Sequence, residues 1–266
     1  MKTIESGSSG KKSRRRFLGQ AAAFSLIACG GETRPGIARE EASAGETYET
    51  QARGLRILPG KWRPHYPWEH IAWISPSWPS QDYLWLDFPE AIFTNKGLLY
   101  LSHINPPIHT VFENLPPVEW NEIEGGIGYE RELPNGFMFA GKVTRGAVNR
   151  ADLELRFLNG TEEELGNISL QTCAFLRGIR EFGDYTRSNK FVHLPEKGWV
   201  DYDTAVASET VEQPYRVGWR KSGKPVADWP LMATRSSAAE RYVLMTWYGD
   251  TLSMVSNPNH PCMQQC

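Results

Sequence analysis

Four of the six histidines of this 266-residue chain, His65, His70, His103 and His109, fall between Trp62 and Trp120, among prolines that fix loop geometry. Imidazole gives and takes a proton near neutral pH and binds metals through a neutral ring nitrogen. In Ser102-His103-Ile104-Asn105-Pro106-Pro107-Ile108-His109 the proline pair makes a stiff extended bridge. His103 and His109 therefore flank a groove, or converge where the chain turns sharply. His65 and His70 belong to Trp62-Arg63-Pro64-His65-Tyr66-Pro67-Trp68-Glu69-His70, which reads as irregular chain draped over a folded body. His193 follows Arg177, Arg180, Glu181, Asp184, Tyr185 and Arg187, and a loop leaving a central strand can set an acid, a base and a cation together at a sheet edge. The expectation is proton transfer by His103, His109 or His193, with Arg177 or Arg180 holding a substrate carboxylate. Each histidine taken alone also fits an ordinary structural hydrogen bond.

Other chemistry is less well supported by spacing. Glu122 and Glu124, or Glu130 and Glu132, share a strand face about 7 Å apart, a separation compatible with inverting glycoside hydrolysis. The chain has no Gly-rich phosphate loop, no His-Glu-x-x-His, no Gly-x-Ser-x-Gly and no Cys-x-x-Cys, and nothing in it names a cofactor. His260, Cys262 and Cys266 are chemically able to hold zinc or copper. A Cys173 to Cys262 disulfide and a Cys262 to Cys266 loop are equally open. Ten tryptophans are present, five of them (Trp62, Trp68, Trp73, Trp78, Trp85) close together. Those that are not core residues offer flat faces on which sugar rings stack while polar groups bind the hydroxyls.

The elements that must position these residues are strands. Leu153, Leu155 and Phe157 alternate with Asp152, Glu154 and Arg156, the pattern of a half-buried strand. Tyr83 to Phe88 and Gly97 to Ser102 read as strands joined across Asn95-Lys96-Gly97. Gly126 to Glu132 and Phe137 to Val143 flank Asn135-Gly136, a dipeptide suited to the positive dihedrals of a tight hairpin. Ile168 to Leu176 reads as the partner of Asp152 to Leu158 at the centre of the fold. Tyr242 to Tyr248 and Thr251 to Val255 form a further hairpin, and Ser236 to Arg241 suggests one short helix. Many short strands with 18 prolines and 24 glycines predict an all-β fold, an antiparallel β-sandwich, with Leu155 and Leu170 in its core.

The first 28 residues read as an address rather than as part of that fold. Lys2, Lys11, Lys12, Arg14, Arg15 and Arg16 stand against Glu5 ahead of a short apolar run, too short for a membrane span. Ser13-Arg14-Arg15-Arg16-Phe17-Leu18 resembles the signal of the twin-arginine pathway. Leu26-Ile27-Ala28-Cys29 resembles a lipobox, which implies lipidation at Cys29. The expected organisation is a signal over 1–28, a lipidated flexible tether over 29–52, and one sandwich domain over 53–266. The formal charge of the whole chain is −2, and loss of the basic leader makes the body more acidic, which argues against nucleic acid.

Three pieces, Leu153 to Thr161, Leu170 to Leu176 and Asn257 to Cys262, together resemble exported proteins of planctomycete-like bacteria whose β-sandwich is related to the galactose-mutarotase-like supersandwich. That resemblance implies a supersandwich-like fold and a carbohydrate ligand. The leading expectation is an envelope-attached protein, held by its lipid, that binds or processes carbohydrate, with the twin-arginine translocase as its partner during export. Lysis, hydrolysis and epimerisation are the reactions considered. A lyase would have to neutralise a uronate, abstract the neighbouring proton and protonate the leaving oxygen. The alternatives are a non-catalytic envelope protein that binds a partner, and a periplasmic metal protein using His103, His109 and His193.

Overall fold

The computed structural model describes residues 17–28, 54–61, 68–103, 112, 115–183, 188–207, 216–218, 220–221, 224–225, 227–247, 253–255 and 262–265. In chain order the first strands are β1 (Phe17–Ala28), β2 (Ile57–Gly60), β3 (Ile71–Ile74), β4 (Leu84–Thr94) and β5 (Gly97–Leu101). The middle of the chain gives β6 (Asn121–Ile123), β7 (Gly126–Glu132), β8 (Phe137–Ala147), β9 (Arg150–Asn159) and β10 (Ser169–Phe175). Then come β11 (Lys190–Leu194), β12 (Gly198–Asp201), the short helix α1 (Tyr202–Ala207), β13 (Arg216–Gly218), β14 (Arg220–Lys221) and β15 (Lys224–Pro225). The last are β16 (Leu231–Arg235), β17 (Arg241–Trp247), β18 (Ser253–Val255) and β19 (Cys262–Gln265).

Two antiparallel sheets carry the fold, as the strand pattern predicts. One runs β12-β11-β16-β17-β1-β9-β8-β7-β6; the other runs β13-β18-β19-β10-β4-β3-β2, with β5 also paired to β4. Their inner faces share one apolar cluster: Leu86, Phe88 and Ile92 from the second sheet with Phe139, Leu155, Val243 and Trp247 from the first. Tyr129 of the first sheet donates its hydroxyl to the Phe88 carbonyl of the second at 2.8 Å. The alternation in β9 is realised, with Leu153, Leu155 and Phe157 buried, and Leu170 of β10 is buried too. At the β7–β8 turn Gly136 has φ +85°, and the Asn135 Oδ1 accepts the Phe137 N–H. Gly97 likewise has φ +105° at the β4–β5 turn. Among the described residues no helix is long and apolar enough to cross a membrane.

Several local expectations are corrected. β9 does not pair with β10: β9 lies between β8 and β1, whereas β10 lies between β4 and β19 in the opposite sheet. The link 160–168 carries the chain from one sheet to the other, so the two strands contribute to the core from opposite sheets instead of pairing edge to edge. β17 and β18 are not a hairpin, because β17 pairs with β16 and β1 while β18 pairs with β13 and β19. Ser236 to Arg241 is a turn, not a helix. The Ser236 Oγ accepts the N–H groups of Ala238 and Ala239, a local alternative to helical bonding. The helix present instead, α1, starts behind Asp201, whose carboxylate accepts the Thr204 N–H at 2.8 Å and its hydroxyl at 2.9 Å. Those bonds hold the Asp201 carboxyl below the usual carboxylate range.

Phe17–Ala28, the apolar run read as the heart of an export signal, is strand β1 here, paired with β17 on one side and β9 on the other. Its small and apolar residues suit a strand flanked on both sides. The lipidation candidate Cys29 and the tether beyond it lie outside the described residues. Of the other cysteines, Cys173 stands opposite Gln264, and Cys262 stands opposite Phe175.

Candidate functional site

His103 follows β5 on the eight-stranded sheet and is only partly exposed. Its Nδ1 lies 3.2 Å from the Asp87 Oδ2, and its Nε2 lies 3.6 Å from the Glu90 Oε1. Asp87 and Glu90 are both buried. In a regular strand residues three apart point to opposite faces, yet both of these reach one imidazole. The cause is an irregularity in the β4–β10 ladder. Asp87 pairs with Cys173 and Ala91 with Gln171, so the stretch from Phe88 to Glu90 stands against Thr172 alone, and such a bulge re-aims side chains. The Ser102 hydroxyl donates to the Asp87 Oδ2 at 2.6 Å. The Gln171 amide donates to the Glu90 Oε2 at 2.6 Å. A third carboxylate, Glu69, joins the group: one ligand atom from each of Glu69, Asp87 and His103 lies within 4.8 Å of the others.

Glu69 is held there from beneath. Trp68 donates its indole N–H to the Leu101 carbonyl at 3.0 Å. The Trp68 carbonyl in turn accepts the Tyr100 hydroxyl at 2.8 Å and the Arg131 Nη2 at 3.3 Å. Arg131, only 1% exposed, also donates to the Pro116 carbonyl at 3.0 Å. Burial draws its pKa down from the usual arginine value, with Tyr100 and Tyr129 opposing that shift. Beside it, His70 is wholly buried and stacks on Tyr129 with ring centroids 3.7 Å apart. The Tyr129 ring lies over Gly141 in the next strand, so close that a Cβ there would fall 2.4 Å from it. Glycine is required at that rung. His70, expected on a draped surface segment, is instead a core residue.

Burial, then the positive charge of Arg131, holds the His70 pKa well below the usual histidine value of 6.5. The unfolded chain therefore binds a proton at His70 that the folded chain refuses, and stability falls as pH falls through 6.5 toward the folded value. One such group contributes a slope of at most about 1.4 kcal/mol per pH unit. Urea unfolding between pH 7 and 5 is expected to show that slope. His70→Gln should flatten it; an unchanged slope in the variant would show that other groups carry it.

The second histidine of interest sits elsewhere. His193 is in β11 of the nine-stranded sheet, opposite Trp199 in β12. Asp228 and Trp229 return to it just before β16, where the Asp228 N–H donates to the His193 carbonyl. The His193 Nδ1 is 2.6 Å from the Asp228 Oδ2. Its ring stacks on Trp229 at 4.3 Å and meets Trp199 edge-on at 5.4 Å. Both indoles are exposed, at 45% for Trp199 and 47% for Trp229. A groove of about 450 Å³ begins at Trp199 and is lined besides by Phe191, Leu231, Ala233, Arg235, Tyr242 and Leu244.

His103 and His193 thus belong to different sheets and different sets of partners, and His109 lies outside the described residues. Arg177 and Arg180 are exposed just beyond β10. Arg180 is engaged by Asp82, 3.5 Å away. Glu181 pairs with Arg241 at 2.9 Å and accepts the Ser236 hydroxyl, which locks this segment onto the β16–β17 turn. Asp184 to Arg187 lie outside the described residues, as do His65 and His260. Glu122, Glu124, Glu130 and Glu132 are exposed around the outer β6–β7 hairpin. Of the early tryptophans, Trp68 and Trp78 are buried, whereas the exposed faces belong to Trp199 and Trp229.

Comparison with protein families, with curated proteins and with solved structures returns no match.

Proposed function

We propose that this chain is an exported, envelope-attached protein that binds carbohydrate on the Trp199–Trp229 surface and processes it by acid–base chemistry. The observation that carries the reading is the meeting of two exposed indoles with a carboxylate-bound imidazole. Sugar rings present C–H faces that stack on aromatics, and their hydroxyls bind carboxylate and imidazole edges. Asp228 and His193 offer those edges beside Trp229, and Arg235 and Tyr242 extend the polar rim along the groove. His193, bound through Nδ1 to Asp228 and stacked on Trp229, has the residue type of a general acid or base on that same surface. Export rests on the twin arginines and on Cys29, whose lipidation is checked by fatty-acid labelling of the wild-type chain and of Cys29→Ser.

A glycan array followed by titration calorimetry on any hit tests the binding surface. Trp229→Ala is expected to weaken the glycan by about tenfold or more, about 1.4 kcal/mol, with little change in melting because the ring is half exposed. Wild-type affinity in Trp229→Ala and Trp199→Ala would reject this surface as the sugar site.

A further inference from the structure

We propose that Glu69, Asp87 and His103 form a binding site for one divalent transition-metal cation of the Zn²⁺ or Mn²⁺ type, with Glu90 as the carboxylate that orients the imidazole. This goes beyond the sugar reading and does not depend on it.

The geometry supplies three donors from three separate chain segments: the residue after Trp68, the middle of β4, and the end of β5. Their ligand atoms lie within 4.8 Å of one another. Donors each about 2.1 Å from a shared ion stand roughly 3–4 Å apart. The 3.2 Å between the Asp87 Oδ2 and the His103 Nδ1 matches one edge of such a polyhedron; it is also a hydrogen-bond contact, with the Ser102 Oγ 2.9 Å from the same Nδ1, and the ion takes the place of the proton there. With Nδ1 turned to the ion, Nε2 carries the proton and points at the Glu90 Oε1, 3.6 Å away. Shortened to hydrogen-bond distance when the ion is bound, this contact would be the carboxylate–histidine–metal relation that fixes a ligand's tautomer and raises its basicity. Gln171 of the neighbouring strand β10 holds Glu90, and Ser102, just past β5, holds Asp87.

Charge points the same way. Three carboxylates surround one imidazole, and the Asp87 and Glu90 side chains are only 5% and 9% exposed. A divalent ion bound among them offsets two negative charges at once. The donor set selects its type. One imidazole nitrogen with two carboxylates suits zinc or manganese, whereas calcium and magnesium favour all-oxygen shells. Three protein ligands also leave a coordination position open, as in sites where a metal binds water or substrate. His193 and Asp228 contribute two such groups and no third, so the second histidine is not a competing metal site among the described residues.

The test uses the full-length chain, stripped with chelator and then titrated with Zn²⁺ or Mn²⁺ separately, with bound metal counted by mass spectrometry and affinity measured by calorimetry. One equivalent per chain is expected for the wild type. Asp87→Asn and His103→Asn should each weaken binding by at least 100-fold. Glu90→Gln should keep the single equivalent with roughly 10–100-fold lower affinity, the range for a supporting carboxylate. His193→Asn and Trp229→Ala should bind metal as the wild type does. Should Asp87→Asn fail to fold, Glu69→Gln at its less buried position gives the same readout. Absence of binding by the folded wild type, or equal binding by Asp87→Asn, Glu69→Gln and His103→Asn, would overturn the site. Glycan affinity of His103→Asn is measured in parallel. Its retention together with metal loss supports two independent sites, and loss of metal binding in Trp229→Ala would count against them.

Discussion

Arg131→Ala is expected to lower the stability of the folded chain by about 4 kcal/mol, combining a large-to-small cavity with the loss of two guanidinium hydrogen bonds to backbone carbonyls. Arg131 is 1% exposed and bonds the carbonyls of Pro116 and Trp68, which lie on segments far from it in sequence. The Trp68 carbonyl keeps the Tyr100 hydroxyl, but the Pro116 carbonyl loses the Arg131 donor. A loss of that size is a large share of the 5–15 kcal/mol that typically separates folded from unfolded domains. Equilibrium denaturation measures it. A loss below about 1 kcal/mol would mean that water or a shifted backbone replaces the guanidinium. The same substitution should loosen Glu69, so metal affinity in the folded fraction should fall along with stability, although Arg131 is not itself a ligand.

The second large effect is at Leu155. Its side chain is 0% exposed in the middle of β9, opposite Gly141 on one side and Gln20 on the other. Leu155→Ala is expected to cost about 2–5 kcal/mol. The upper part of that range applies if the core does not collapse into the space. On one side the neighbour is a glycine with no side chain to move, and the Tyr129 ring that covers it is held by its bond to Phe88 and its stack on His70. A shift of the denaturation midpoint at constant slope is the expected signature; a changed slope would place the effect in the unfolded chain.

The fold was legible where the pattern is local. The alternation in β9, the Asn135-Gly136 turn and the Asn95-Lys96-Gly97 turn each carry their own signal in a few neighbouring residues. Strand partners were less legible, because pairing depends on where a link crosses the sandwich, and residues 160–168 look the same whether they close a hairpin or change sheets. The site divides the same way. His103 and His193 stand out as residue types, and both lie in polar clusters. Asp87 and Glu90 were hidden by their spacing, since strand periodicity assigns them to opposite faces until the ladder shifts against Thr172. Glu69 was hidden because a carbonyl bond from Arg131, 62 positions away, sets its place. Trp199 was within reach of sequence reasoning: it follows His193 by six residues across Pro195 and Gly198, the spacing of a short hairpin that sets the two side by side.

β1 divides the larger sheet into two blocks of four, β12-β11-β16-β17 on one side and β9-β8-β7-β6 on the other. A translocase or a signal peptidase reads an extended segment that nothing else has bound, and Phe17–Ala28 cannot be offered to either while it is zipped between two neighbours. If the chain is exported as proposed, export and completion of this sheet compete for the same twelve residues. If the leader is cut away before Cys29, β17 and β9 are left about two strand spacings apart, roughly 9.6 Å, beyond the reach of backbone hydrogen bonds. The precursor and the trimmed chain are then different sheets. The trimmed one carries an open seam with two rows of backbone donors and acceptors, each a template for the next extended segment that arrives.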